Sequence, residues 1–226
     1  SRIGRMSCRE SVSVFHLPLA VASIQLRLQQ LDQAWEHGLL AADVARTVDR
    51  RVRARELLAR IALARRDPEA ARRQAELARD VDPTLPLPDF VRARLLHEDG
   101  RYAEALPVFE RTLAAVRSRA LTLPELDFYL GDTLARLDRP ADAELHLREA
   151  LRLAPQDTRA RSALAMLYQS QGEAEAAART IGELLEAVPT PDGYRLAAQL
   201  WEMFGGRRRA AEVRAEAVRR FGDAGR

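Results

Sequence analysis

Residues 130–155 read LGDTLARLDRPADAELHLREALRLAP. Leu130, Leu134 and Leu137 share one helical face, and Asp138-Arg139-Pro140 then breaks the run. Ala143, Leu147, Ala150 and Leu151 mark a second helical face before Pro155 closes the stretch. The same order returns along the chain in one register. Ala71, Ala105, Ala143, Ala177 and Ala211 recur at spacings of 34, 38, 34 and 34 residues. Twelve residues before each alanine stands Ala59, Ala93, Gly131, Ala165 or, out of pattern, Gln199. A fixed period of this length marks a stack of supersecondary units.

Small residues at both positions let two antiparallel helices meet closely, while Leu130, Leu134, Leu147 and Leu151 fill the flanks of the crossing. One hairpin cannot bury both of its apolar faces, so each requires a neighbour and the core becomes continuous. Composition agrees. Ala, Leu, Arg and Glu are strong helix formers, and aromatic residues make up only 5% of the chain. The sequence reads as all-α.

At Gly100-Arg101-Tyr102-Ala103-Glu104-Ala105-Leu106-Pro107-Val108-Phe109 the chain resembles the turn and second helix of the tetratricopeptide repeat family. The resemblance is strong over residues 52–222 and weaker over 18–49. It implies an α-solenoid of antiparallel helix pairs wound as a right-handed superhelix, with five clear repeats after one degenerate hairpin. The expected organisation is a lead-in segment at 1–17, then hairpins at about 18–49, 52–82, 89–117, 124–155, 158–189 and 192–222. The first turn is expected near Asp32 to Ala34. Four extra residues between Arg117 and Pro124 read as a lengthened helix end or loop, or else as a binding loop.

Charge excludes little. The 36 cationic residues are all Arg, so the pI of 9.6 coexists with a net charge of only +3. The absence of Lys and Asn points to a GC-rich, bacterial source. Arg50-Arg51-Val52-Arg53-Ala54-Arg55 and Arg207-Arg208-Arg209 could touch nucleic acid, but the near-neutral balance argues against it. Cys8 is the only cysteine, so no intrachain disulfide can form. His16, His37, His97 and His146 are widely spaced and form no metal motif, and there is no phosphate loop or nucleophile elbow. No enzyme activity, cofactor or metal is expected in this segment. Residues 12–22 lack the length of a membrane helix. They support a cytoplasmic reading, or a periplasmic one if they belong to a signal sequence.

The resemblance implies function through the first helix of each hairpin, which in this family lines a concave groove for peptides or partner helices. Carried over position by position, one column holds Arg60, Arg94, Asp132, Met166 and Leu200. A second holds Glu56, Phe90, Phe128, Ser162 and Leu196, and a third holds Leu63, His97, Ala135, Gln169 and Met203. The expected groove is charged at its N-terminal end and apolar at its C-terminal end, with Phe90 and Phe128 as aromatic anchors. Family members that clamp the acidic tail of heat-shock chaperones use Lys and Asn, both absent here. The reading is a non-catalytic protein-interaction scaffold, with an accessory region of a larger enzyme as the alternative. Leu196, Leu200, Trp201, Met203 and Phe204 lack an evident neighbour. The last hairpin is therefore expected to self-associate, to pack on a further domain, or to cover them with its second helix.

Overall fold

The computed structural model describes residues 8–121, 123 and 125–222, with side chains from His16 onward. Among these residues every regular element is an α-helix. In chain order they are α1 (Cys8–Arg27), α2 (Leu31–Val44), α3 (Val48–Ala64), α4 (Pro68–Val81), α5 (Leu87–Glu98), α6 (Tyr102–Ser118), α7 (Leu126–Arg136), α8 (Pro140–Leu153), α9 (Thr158–Ser170), α10 (Ala174–Ala187), α11 (Pro191–Met203) and α12 (Arg207–Phe221). Each odd-numbered helix pairs with the helix that follows it. The pairs gather into two compact units of three hairpins each, residues 1–120 and residues 121–226. The division falls in the insert that stretches the alanine spacing to 38. Helix α6 has 17 residues where α4, α8 and α10 have 14, so part of that insert is an added turn of helix. Pro124, at the end of the insert, lies outside the described residues.

The expected crossing is present. Ala59, Ala71, Ala93, Ala105, Ala143, Ala165 and Ala177 are buried, as is Gly131. A Cβ added to Gly131 would meet Leu147 Cγ at 2.8 Å, so no larger residue fits without displacing the second helix. The sixth hairpin corrects the register by one residue. Ala211 is exposed, whereas Ala210 is wholly buried and Ala198, twelve residues before it, is 1% exposed. The link between α10 and α11 is one residue shorter than that between α8 and α9, and the apparent exception at Gln199 disappears. The first hairpin obeys the same rule through Ala22 and Ala34, both wholly buried. Its turn lies at residues 28–30, ahead of Asp32, and α1 extends back to Cys8 through residues assigned from sequence to a lead-in segment. The side chain of Cys8 lies outside the described residues.

The turns repeat as strictly as the alanines. Gln29, Arg66, Gly100, Asp138, Gly172 and Gly205 all have positive φ, between 56° and 79°. Each sits five residues before the buried alanine of its second helix. A left-handed residue at this point ends the first helix and reverses the chain, which glycine does without a Cβ penalty. Asp67, Asp157 and Thr190 cap the helices that follow them, and Pro68, Pro140 and Pro191 occupy first-turn positions where a missing N–H costs nothing.

Packing between hairpins is apolar. Leu57 and Ile61 join Ala22 and Ala34 in one cluster, and Leu200 joins Ala165, Ile181 and Leu184 in another. Within hairpins, a polar residue four positions before the small crossing residue often reaches across to the second helix. Arg55 donates to Gln74 at 2.8 Å, Arg161 to Glu183 at 3.0 Å, and Tyr194 to Glu216 at 3.4 Å, while Asp127 lies 2.8 Å from His146 Nδ1. These bonds satisfy polar groups half-hidden by the crossing and fix the rotation of one helix against the other.

Candidate functional site

The first helices expose a stripe that the second helices do not cover. In the second unit it runs over α7 and α9. Phe128 is half-buried, and the Arg159 guanidinium lies over its ring, 4.9 Å from the centroid. Arg159 is held there by Asp157, the cap of α9, at 3.0 Å. Asp132, one turn after Phe128, keeps 14% of its side chain exposed and is 3.7 Å from Arg136. On α9 the matching positions are Ser162, Met166 and Gln169, and Met166 is 37% exposed. An apolar ring and a thioether thus stand beside a carboxylate, a guanidinium and an amide. Such a surface can bury apolar anchors while its rim orients a charged or backbone group.

The first unit presents the same columns with a different chemistry. Arg60 and Arg94 are half-buried, and Arg94 donates to Glu98 at 2.9 Å. Glu56, beside Arg60, has its carboxyl pushed above the usual range by burial, with Arg60 and Arg53 opposing the shift. His97 is half-buried, its ring edge-on to Tyr102 at 5.3 Å. Phe90 departs from expectation. It is 1% exposed and packs against Phe109, with ring centroids 6.4 Å apart. Both rings are buried and together fill much of the core of this hairpin. Phe90 is a core residue and cannot anchor a ligand.

The corrected register also changes the C-terminal end of the columns. Leu200 is a core residue at 3% exposure, and Gln199 takes its place. Arg195 and Glu202 replace Leu196 and Met203, so the last hairpin presents polar groups on this face rather than an apolar end. The apolar side chains of α11 are largely accounted for within the hairpin. Leu196, Trp201 and Phe204 join the cluster that includes Val213 of α12, and Arg209 lies over the Trp201 ring at 5.9 Å. Met203 alone stays well exposed, at 66%.

Sequence reasoning overlooked the opposite face, where successive second helices flank the first helix between them. In the first unit, α4, α5 and α6 enclose a cleft of 560 Å³ with Leu95 and Leu96 among its apolar lining and Arg72, Glu76, Arg79 and Arg92 around it. The equivalent cleft of α8, α9 and α10 measures 300 Å³. There Tyr168 replaces Leu96, donating to Glu144 at 2.7 Å and accepting from Arg148 at 2.8 Å. One tyrosine in the repeat column signals that bridge, but its partners are separated in sequence. Among the described residues no cluster of three or more His, Cys, Asp or Glu side chains is placed to hold a metal ion. No described helix is long and apolar enough to cross a membrane.

Paired helices with small-on-small crossings, left-handed turns in register and hairpin-on-hairpin cores define an all-α helical repeat protein of the solenoid class. Residues 134–200 match the tetratricopeptide repeat family. No curated protein matches the chain. Among solved structures, PilW, described as a widely conserved type IV pilus biogenesis factor, is similar with a TM-score of 0.64 at 19% identity, over 94% of this chain and 96% of that one. The pilF protein of Pseudomonas aeruginosa gives a TM-score of 0.59 at 18% identity, covering 95% of each chain. YrrB, described as a TPR protein with an unusual peptide-binding site, gives 0.50 at 22% identity over 75% of this chain and 86% of that one. At these identities the likeness is one of fold.

Proposed function

We propose that the chain is a non-catalytic protein-interaction scaffold that holds a peptide or a partner helix against the exposed stripe of its first helices. The observation that carries this reading is the α7–α9 surface, where half-buried Phe128 and exposed Met166 occupy neighbouring repeats with Asp132, Arg159 and Gln169 around them. An aromatic anchor ringed by polar groups is the composition of an interaction hot spot. The stripe of the first unit, with Arg60, Arg94 and His97, suits acidic segments of a partner through charge-assisted hydrogen bonds. YrrB, a protein of similar fold, carries a peptide-binding site, which supports the reading by analogy. Nucleic acid fits less well. Within the Arg207–Arg209 cluster, Arg208 is paired with Glu212 and Arg209 is committed to Trp201.

The test is a peptide-array screen followed by titration of the best binder against Phe128→Ala and Met166→Ala. Both variants are expected to weaken binding by about tenfold or more, which corresponds to losing an anchor of about 1.4 kcal/mol. Wild-type affinity in both variants would move the site off this stripe, with the α4–α6 cleft as the next surface to probe.

A further inference from the structure

Within each unit, a first helix that follows another hairpin turns the same three columns toward it. Counted from the small crossing residue, they lie five before, two before and two after. They hold Ala54, Leu57 and Ile61 on α3; Pro88, Val91 and Leu95 on α5; Ala160, Ala163 and Leu167 on α9; and Gly193, Leu196 and Leu200 on α11. All are buried except half-buried Leu196. Their partners are seen directly where Ala54 packs with Ala41 and Ala45, Leu57 and Ile61 with Ala22 and Ala34, and Leu200 with Ala165 and Ile181.

On α1 the same columns hold Leu17, Ala20 and Ile24, and all three are exposed, Leu17 to 68% and Ile24 to 55%. Leu28, one turn on, is 62% exposed. The inner face of the helix is already used, with Leu19, Ala22 and Leu26 packed into the first unit. A helix apolar on both sides is built to be covered on both sides. With half-buried Val21, the outer residues Leu17, Val21, Ile24 and Leu28 are spaced four, three and four apart, which is the seam of a two-helix coiled coil.

We infer that this face docks onto α1 of a second copy of the chain, as an antiparallel pair about a two-fold axis near residues 22–23. That axis sets Leu17 opposite Leu28 of the second copy and Val21 opposite Ile24, so one patch complements itself, as an isologous contact requires. The flanking positions Pro18, Ala20 and Gln25 carry no charge, and Arg27 is the only ionisable residue beside the seam, so no like charges are forced together. Helix α12 is a poorer match for this face. Where α10 offers Ile181 and Leu185 to the next hairpin, α12 has Arg214, bonded to Glu202 at 2.7 Å, and Val218. The seam spans about 18 Å of helix, short of a standard interface, so the pairing is weak and populated at about 10 µM and above.

Sedimentation equilibrium of the chain over a range of concentrations tests this. The wild type should move from monomer to dimer mass, and Ile24→Glu should raise the dissociation constant at least tenfold with unchanged helix content and melting temperature, since Ile24 is exposed in the monomer. In a Cys8→Ser background, oxidising a mixture of Leu17→Cys and Leu28→Cys chains should give the mixed disulfide in excess over either like pair. A wild type that stays monomeric throughout, or a dimer that Ile24→Glu leaves intact, overturns the inference. So does a monomer that floats with phosphatidylglycerol vesicles through this stripe, which would assign the face to a lipid surface.

Discussion

Gly131 and Ala143 cross so closely that a Cβ on Gly131 would lie 3.1 Å from the carbonyl oxygen of Ala143. Every hairpin is built around the equivalent contact, so its cost can be measured at one site. Ala143→Leu should overpack the crossing and destabilise the chain by about 1–3 kcal/mol. Urea denaturation should show a lower midpoint with an unchanged slope. An unaltered midpoint would mean that the two helices are not in this register.

Arg66 and Gly100 occupy equivalent turn positions at φ 58° and 75°, but only the glycine adopts that backbone freely. An L-residue there costs about 1–2 kcal/mol, and glycine returns about half of the gain as unfolded-chain entropy. Arg66 is exposed at the turn. Arg66→Gly is therefore expected to stabilise the chain by about 0.5–1 kcal/mol, read as a melting temperature about 2 °C higher. A lower melting temperature would show that the arginine side chain contributes more than its backbone costs.

Asp82 accepts from the Thr84 hydroxyl at 2.6 Å and from Arg119 at 3.0 Å, which ties the end of α6 to the α4–α5 link. The Thr84 hydrogen bond, followed by the one from Arg119, lowers its pKa to about 2. The folded-state value lies below the unfolded value of about 3.9. The stabilisation from this carboxylate is thus complete above about pH 4 and is lost as the pH falls toward 2. Asp82→Asn should be less stable than wild type at neutral pH, and the gap should close across that window. A gap independent of pH would assign the loss to packing instead.

Tyr168 bridges α8 and α9 through Glu144 and Arg148. Removing only the hydroxyl in Tyr168→Phe should cost about 0.5–1.5 kcal/mol in urea denaturation. A neutral substitution would show that Glu144 and Arg148, themselves 2.7 Å apart, satisfy one another without it.

For a peptide that binds the first-helix stripe, Phe128→Ala should weaken affinity more than Arg60→Ala. Only the effect of the arginine change should fade at high salt, because a rim charge acts through a screened field while a buried ring does not. Titrations at low and high ionic strength separate the two contributions, and an equal salt response in both variants would contradict the assignment of rim and anchor.

The hairpin order, the alanine register from Ala71 to Ala177 and the turns at Gly100, Gly172 and Gly205 were legible in the sequence because each depends on residues close along the chain. A small residue, a helical period and a turn former impose local geometry wherever they occur. The turn of the first hairpin was misplaced because Gln29 carries no turn signal, although it adopts the same left-handed backbone. In the sixth, a link shortened by one residue moved the buried pair to Ala198 and Ala210, and one residue rotates a helix by about 100°. That rotation drew Leu200 into the core and set Gln199 on the surface. Tertiary packing alone decided between Phe90 and Phe128, which share a column. Phe90 is buried against the Phe109 ring of the facing helix, while half-buried Phe128 stays at the surface under Arg159. Which apolar residues become core and which remain available to a partner depends on the volume their neighbours leave, and that volume is set by helices distant in the sequence.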